Sequence, residues 1–128
     1  MSNLIYLSIF AVIFSLGIIS VQDASAVSYT LNEAFCGDMV GTWDVDTCTI
    51  TTPHTIIAGD TLSIPSTTTL VISNIDGEGI LNYGTITNDG TIIVSSTGTG
   101  WIGIHNYPGG IITNNDTITV SNTALASR

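Results

Sequence analysis

The segment that decides the fold is residues 84–95, GTITNDGTIIVS, which returns in nearly the same form as GIITNNDTITVS at residues 110–121. Both copies contain short runs of Ile and Val, which are too short for a helix and are typical of β-strands. Asn, Asp and Gly stand between these runs, and these residues favour tight turns. The repeat therefore predicts short strands joined by turns.

The same composition continues through the C-terminal part of the chain. Residues 49–128 contain 15 Ile and 17 Thr, and β-branched residues at this density favour strands over helices. Apolar triplets recur there, separated by Gly, Asn, Asp or Pro, as in Leu62-Ser63-Ile64, Leu70-Val71-Ile72 and Ile118-Thr119-Val120. The region is therefore predicted to be all-β.

A period of 22–26 residues relates these strands to one another. Several series of apolar residues recur within that one period, which indicates three strands in each coil of a solenoid. Each series is expected to form an inward-facing ladder, a set of residues at the same position in successive coils. The ladders are Cys48/Leu70/Ile92/Ile118, Ile50/Ile72/Val94/Val120, Ile56/Ile80/Ile104 and Leu62/Ile86/Ile112.

The fold class that follows is all-β: a short right-handed parallel β-helix of about three to four coils. Outward Thr residues and turn Asn residues, Asn82 with Asn106 and Asn88 with Asn114, are expected to stack as polar ladders. An antiparallel meander or sandwich is the competing arrangement. It gives no reason for residues about 24 positions apart to match in identity.

The first 26 residues have the pattern of an export signal. They are apolar from Leu4 to Val21 and then reach Ala24-Ser25-Ala26, small residues of the kind that a signal peptidase accepts. We predict a signal peptide at residues 1–26. No Lys or Arg precedes the apolar run, and its length of about 18 residues begins to span a bilayer, so an uncleaved N-terminal anchor is the alternative. Either reading predicts an extracellular or cell-surface location.

Two cysteines, Cys36 and Cys48, follow this leader. Because exported proteins fold where thiols oxidise, we predict a disulfide between them. It would belong to an N-terminal cap at residues 27–48, ahead of the β-helix at residues 49–128, and would stabilise the fold by roughly 3 kcal/mol. A metal site is the alternative, but His54 and His105 stand far apart without further ligands beside them.

The charge of the chain excludes some classes of partner. Ten acidic residues and one basic residue, Arg128, give a formal net charge of -9. Nothing here could neutralise a nucleic-acid backbone, and no polybasic patch could bind an anionic membrane surface. Membrane contact is therefore expected only through an uncleaved leader.

Residues 36–50, CGDMVGTWDVDTCTI, and 56–72, IIAGDTLSIPSTTTLVI, resemble the first part of secreted bacterial and archaeal β-helix proteins. Those proteins carry a Cys...GTWD...CT segment, a GDTL-containing rung and GTI repeats, and they are similar to adhesin-like surface-repeat families. The resemblance implies a parallel β-helix with an adhesive or structural role at a cell surface. Trp43 is expected to cover the first coil, since a solenoid end needs a cap.

Aromatic residues give the main indication of ligand binding. Tyr83 and Tyr107 are 24 residues apart and are expected to stack on one edge, with Trp101 and His105 nearby. Such an edge could bind the sugar rings of cell-surface glycans, although aromatic ladders are also ordinary packing. A carbohydrate-binding or polysaccharide-degrading module is the alternative function, with the acidic pairs Asp44/Asp46 and Asp76/Glu78 as its only i, i+2 carboxylates.

No catalytic residue or cofactor is predicted, and the chain is expected not to be an enzyme. Ca²⁺ is a possible ligand because several acidic residues lie in or beside turns, but ordinary turn hydrogen bonding is the favoured explanation of them. These acidic residues are Asp60, Asp76, Glu78, Asp89 and Asp116. Asn115-Asp116-Thr117 is a glycosylation sequon, so Asn115 is a possible modification site.

The last strand, Ile118 to Val120, has no obvious cap after it. Self-association of this coil by strand addition is one hypothesis. The favoured alternatives are that residues 123–127 fold over the end or that the chain is a short or truncated relative of a longer repeat protein. The function expected from the sequence is that of a non-enzymatic, secreted or cell-surface β-helix with a structural or adhesive role.

Overall fold

The computed structural model describes residues 25–73, 75–97 and 100–122. Within them the chain forms one short helix and twelve strands, which are, in order, β1 (Ser28–Thr30), α1 (Glu33–Asp38), β2 (Thr42–Asp44), β3 (Thr47–Ile50), β4 (His54–Ile56), β5 (Thr61–Ile64), β6 (Thr69–Ser73), β7 (Glu78–Asn82), β8 (Thr85–Asn88), β9 (Thr91–Ser96), β10 (Ile102–Asn106), β11 (Ile111–Asn114) and β12 (Thr117–Asn122).

These strands build a parallel β-helix with three faces. Sheet one has the order β12-β9-β6-β3-β2, sheet two β10-β7-β4, and sheet three β1-β5-β8-β11. Every pair is parallel except β2 with β3. The chain therefore completes three coils, β3-β4-β5, β6-β7-β8 and β9-β10-β11, and begins a fourth with β12. The predicted fold class is confirmed.

The predicted register is confirmed in sheets one and three. Cys48 pairs with Leu70, Leu70 with Ile92 and Ile92 with Ile118. The ladders Ile50/Ile72/Val94/Val120 and Leu62/Ile86/Ile112 also form as expected. On the outer surface of sheet one, the first residues of the four stacked strands are all threonine.

In sheet two the predicted register of the first coil is wrong. Ile56 pairs with Asn82, and His54 pairs with Ile80, whereas the expected pairing of Ile80 with Ile104 is present. The step from β4 to β7 is therefore 26 residues rather than 24. The reason is the length of the corners. The connection before β7 is longer than the one before β4, and the connection after β7 is shorter than the one after β4.

The interior is filled by the aliphatic ladders. Cys48, Ile50, Leu62 and Ile92 are each 0% exposed, and the ladder members Leu70, Ile72, Ile86 and Val94 are at most 2% exposed. Burial of one such Leu or Ile side chain contributes roughly 1.5–3 kcal/mol relative to leaving it in water. Stacked coils with aligned apolar residues thus provide both the backbone pairing and the core.

Two asparagine ladders lie where strands meet the corners. They were expected in turns, but they begin with buried residues at the ends of strands. Asn82 and Asn88 end β7 and β8, and both side chains are fully buried. Their Nδ2 atoms donate to the Oδ1 atoms of Asn106 and Asn114, both at 2.7 Å. Each also donates to a backbone carbonyl of the next corner at 3.1 Å. The amides therefore join one coil to the next.

Each asparagine ladder begins in the second coil, above an isoleucine. Asn82 lies over Ile56 and Asn88 lies over Ile64. Because an isoleucine has no donor, the Oδ1 atoms of Asn82 and Asn88 have no hydrogen-bond partner among the described residues. The corner beside Asn88 also requires a glycine, since a Cβ on Gly90 would lie 2.2 Å from the carbonyl oxygen of Pro65.

The N-terminal end of the β-helix is covered by β1, α1 and β2. Asn32 caps α1 by accepting a hydrogen bond from the Phe35 amide at 2.9 Å. Leu31, Phe35 and Met39 are buried against the first coil. Trp43, expected to form the cover, packs against the same core from β2 and is only partly buried, so the helix and its flanks form most of the cap.

The predicted disulfide is confirmed. Cys36 of α1 is bonded to Cys48 of β3, with the two Cα atoms 5.6 Å apart. Because Cys48 is the first member of an interior ladder, the bond fastens the cap to the first coil of the core. The signal peptide or anchor predicted at residues 1–26 lies almost wholly outside the described residues. No helix within the described ranges is long and apolar enough to cross a membrane.

We predict that Asn88→Asp lowers the free energy of unfolding by about 3 kcal/mol, because a carboxylate cannot donate to Asn114 or to the Thr117 carbonyl and leaves a buried charge unpaired. Asn114→Asp is the matched control one coil above. Residue 114 is exposed, and an aspartate there keeps an acceptor for Asn88. The free energy of unfolding should therefore fall by less than about 1 kcal/mol. Urea unfolding measures both values, and equal losses would contradict the role of the ladder.

Candidate functional site

Three aromatic rings form a stack at the corner that follows sheet two. The rings of Tyr83 and Tyr107 lie with centroids 4.2 Å apart and planes inclined by 13°. The rings of His105 and Tyr107 lie 4.0 Å apart at 20°. Two rings cannot both lie this close on one face of Tyr107 without overlapping, so Tyr107 lies between the other two. We call Tyr83, His105 and Tyr107 the ring stack.

Glu78, the first residue of β7, forms hydrogen bonds with two members of the ring stack. One carboxylate oxygen lies 2.5 Å from His105 Nδ1, and the other accepts a hydrogen bond from the Tyr107 hydroxyl at 2.9 Å. The side chains of His105 and Glu78 are 38% and 27% exposed, respectively. The carboxylate therefore fixes the orientation of two of the three rings while remaining in contact with solvent.

The coil-to-coil register explains why these residues meet. Asn82 pairs with Asn106, so the residues that follow them, Tyr83 and Tyr107, leave the sheet at the same corner. The Tyr107 amide donates to the Asn82 carbonyl at 3.0 Å, which extends the pairing into the corner. Beneath them the buried side chain of Asn82 donates a hydrogen bond to the exposed side chain of Asn106. The stack thus rests on one of the asparagine ladders.

Electrostatics within the stack favour an ionised Glu78 carboxylate and a neutral Tyr107 phenol. The hydrogen bonds from His105 and then Tyr107 lower the pKa of Glu78. The hydrogen bond to Glu78, followed by burial, raises the pKa of Tyr107 to about 12. A phenolate at Tyr107 would face the Glu78 carboxylate at close range without a proton to share, which disfavours ionisation.

The predicted ligand edge is assembled in part. Tyr83, His105 and Tyr107 come together as the ring stack, whereas Trp101 packs against the hydrophobic core. The sequence reasoning missed Glu78 as a member of this group, since it treated that residue as a turn carboxylate. The register of sheet two could have indicated Glu78. It pairs with Ile102, so it lies on β7, the strand next to β10, which carries His105.

Asn115 and the acidic residues considered for Ca²⁺, apart from Glu78, lie outside the ring stack. Asn115 is exposed at the corner before β12, and its Nδ2 donates to Asp89 at 2.7 Å. Asp60 is buried at the corner before β5. No group of three or more His, Cys, Asp and Glu side chains within the described ranges could hold a metal ion.

Chemically, the ring stack presents edges and not a broad flat face. Tyr107 uses both of its faces on its neighbours, so a sugar ring could cover only the outer face of Tyr83 or His105. The edge offers a carboxylate, phenol hydroxyls and an imidazole, which can bind the hydroxyl groups of a ligand. The arrangement therefore suits recognition of a polar ligand by hydrogen bonds more than broad stacking.

Comparison of the chain with protein-family models, with curated proteins and with solved structures finds no match.

Tyr107 should ionise near pH 12 in the folded protein, and Glu78→Gln should return its pKa towards 10, because the neighbouring carboxylate is what disfavours the phenolate. Ultraviolet absorbance titration follows phenolate formation. Tyr107→Phe assigns the transition by removing it, since the chain contains other tyrosines. A titration curve unchanged by Glu78→Gln would contradict the proposed coupling.

Proposed function

We propose that this protein is a non-enzymatic structural module of the cell surface or extracellular space, which associates through the open C-terminal end of its β-helix. One observation carries the proposal: the two ends of the helix are built differently. Support also comes from the export signal expected at residues 1–26 and from the resemblance to adhesin-like surface-repeat proteins.

Among the described residues the N-terminal end is covered, whereas the C-terminal end presents the core; residues 123–127, considered as a cover for it, lie outside the described ranges. Ile92 and Val94 are 0% and 2% exposed, but Ile118 and Val120, one coil above in the same ladders, are 38% and 67% exposed. An apolar depression of about 280 Å³ opens between the last strands, lined by Val94, Gly103, Ile104, Ile112, Ile118 and Val120. No described strand or helix lies beyond β10, β11 or β12.

The strand at this end lacks the features that usually prevent edge pairing. Soluble proteins protect their edge strands with Lys, Pro, bulges or inward-pointing charges. β12 reads Thr-Ile-Thr-Val-Ser-Asn and contains no charged residue and no proline. Two such edges can meet without placing like charges opposite each other, and the two apolar ends would cover one another.

The occupant that we propose for this end is a second copy of the chain. A head-to-tail stack is blocked, because β1, α1 and β2 cover the other end of each molecule. Two C-terminal ends facing each other bury the same surface on both copies, which is a closed two-fold contact. The expected assembly is therefore a dimer and not an open fibre.

We expect Val120→Lys to lower the dimer fraction at least tenfold, because it places a charge in the apolar contact. Thr119→Lys is the matched control, since it adds the same charge to the same strand on the outer surface. Light scattering coupled to size exclusion measures both, in 0.15–0.5 M salt so that repulsion between the acidic chains is screened within about 8 Å or less.

A chain that stays monomeric up to high micromolar concentration would overturn this function, as would a dimer that both variants weaken equally. Circular dichroism checks that Val120→Lys remains folded. Because Val120 is already 67% exposed, its replacement should leave the free energy of unfolding of the monomer within about 0.5 kcal/mol.

The ring stack supports a second candidate function, the binding of carbohydrate. Its specific observation is the Glu78 carboxylate, which is held at a partly exposed edge by the Tyr107 phenol and the His105 imidazole. Carboxylates next to aromatic rings offer both hydrogen-bond acceptors and apolar surface to a sugar. A cell-surface glycan is the ligand class that this edge would suit.

Carbohydrate binding is tested on a glycan array, followed by calorimetric titration of any ligand found. Glu78→Gln should weaken binding at least tenfold, because the carboxylate accepts ligand hydroxyls and orients His105. Asp76→Asn is the control, as it removes the same charge from an exposed turn two residues earlier. Equal affinities in all three proteins, or binding to no glycan, would reject this function.

A further inference from the structure

Asp60 is a carboxylate buried without a basic side chain to pair with. It is 5% exposed, and residues 25–73, 75–97 and 100–122 contain no Lys and no Arg. Taking an ionised carboxylate out of water is costly unless a positive charge or several hydrogen-bond donors compensate it. The structure therefore raises the question of what Asp60 is placed to bind.

One group that faces Asp60 is the main-chain nitrogen of Val27. This nitrogen lies 2.9 Å from Asp60 Oδ1. The Val27 carbonyl accepts a hydrogen bond from the Thr61 amide at 2.9 Å, so the chain is held on both sides of this residue. Asp60 is itself fixed, because its carbonyl accepts from the Thr85 amide at 2.8 Å. The carboxylate therefore has two neighbours: the Val27 nitrogen and the side chain of Tyr29, whose pKa is raised by burial and by Asp60.

That backbone atom belongs to the peptide bond at which the leader is expected to be cut. Ala24-Ser25-Ala26 provides the small residues that a signal peptidase requires before its cleavage point. Ala26 and Val27 are both exposed, and every element of the described fold begins after Val27. Cleavage between Ala26 and Val27 would therefore leave the folded domain complete.

Cleavage changes the chemistry at this atom. A signal peptidase hydrolyses the Ala26–Val27 amide by adding one water molecule, so that Ala26 leaves with a carboxylate and Val27 gains an amine. An α-amine has a pKa of about 7.7–8.0 and binds a proton at neutral pH. The nitrogen that had donated a neutral amide hydrogen bond to Asp60 then carries a positive charge.

We propose that Asp60 is the receptor for the α-ammonium group of Val27 created by removal of the leader. This proposal rests on the exported location given under the proposed function. A charge-assisted hydrogen bond is roughly twice as strong as a neutral one. Processing therefore completes an ion pair at the start of β1, and the mature chain is more stable than its precursor.

The absence of lysine allows a direct test. The chain contains a single basic side chain, Arg128, so the α-amine of the mature protein is its only primary amine. Acetylation with an amine-selective reagent thus restores a neutral amide at Val27 and changes nothing else. We expect acetylation to lower the Tm of the mature protein by about 4–8 °C, as the loss of 1 kcal/mol does in a domain of this size.

Asp60→Asn should abolish the effect of acetylation, because no carboxylate remains to distinguish ammonium from amide. Asp89→Asn is the matched control, which removes the same charge from a different corner and should leave the shift unchanged. If Asp60→Asn does not fold, a chain that begins at Ser25 replaces it. Its amine lies two residues before Val27, the residue whose nitrogen contacts Asp60, so its acetylation should leave the Tm unchanged.

Mass spectrometry of the exported protein gives the mature N-terminus, and Val27 is the result expected. A different N-terminus would overturn the inference, as would an equal acetylation shift in the wild type and in Asp60→Asn. Those results would leave an exported structural protein intact. A full-length protein that retains residues 1–26 inside the cell would instead contradict both the exported location and the role of Asp60.

Discussion

Backbone pairing between successive coils is the interaction on which the rest of this structure depends. Each strand satisfies its amides and carbonyls on the strand one coil away, in a fixed register, so equivalent side chains lie directly above one another. Aliphatic ladders fill the interior, and buried asparagines extend the same pairing into the corners. The ring stack follows from the same register, because it places Tyr83 and Tyr107 at the same corner of successive coils. The exposed C-terminal end is where the stacking of described strands ends.

Much of the fold could be predicted from the sequence because two of the three sheets keep apolar residues at matching positions in every coil. The first coil of sheet two could not be aligned correctly, because matching one isoleucine with another predicts the wrong pairing there. Ile56 has an asparagine above it, and the isoleucine expected as its partner pairs with His54. The corner before β7 is longer and the corner after it is shorter than in the first coil. The two differences partly cancel over a whole coil, so the repeat period does not show either of them.

The candidate site was less predictable. The 24-residue spacing is enough to bring Tyr83 over Tyr107, but the position of Glu78 depends on side-chain conformations that no periodicity encodes. The burial of Asn82 and Asn88 was likewise concealed, because asparagine in a Gly-rich sequence is typical of exposed turns. Asp60 is similar: its role depends on a contact with Val27, 33 residues away.

The coil length has a consequence for how such a chain folds. Pairings between coils join residues 22–26 positions apart in all three sheets. The entropy lost in closing a loop depends on its length, so the third coil costs about as much to close as the first. Growth can proceed coil by coil from the end fastened by the disulfide, with a nearly constant increment at each step. A β-helix of this kind could gain or lose a coil without increasing the sequence distance that its contacts must span, and hence without a topological barrier to folding.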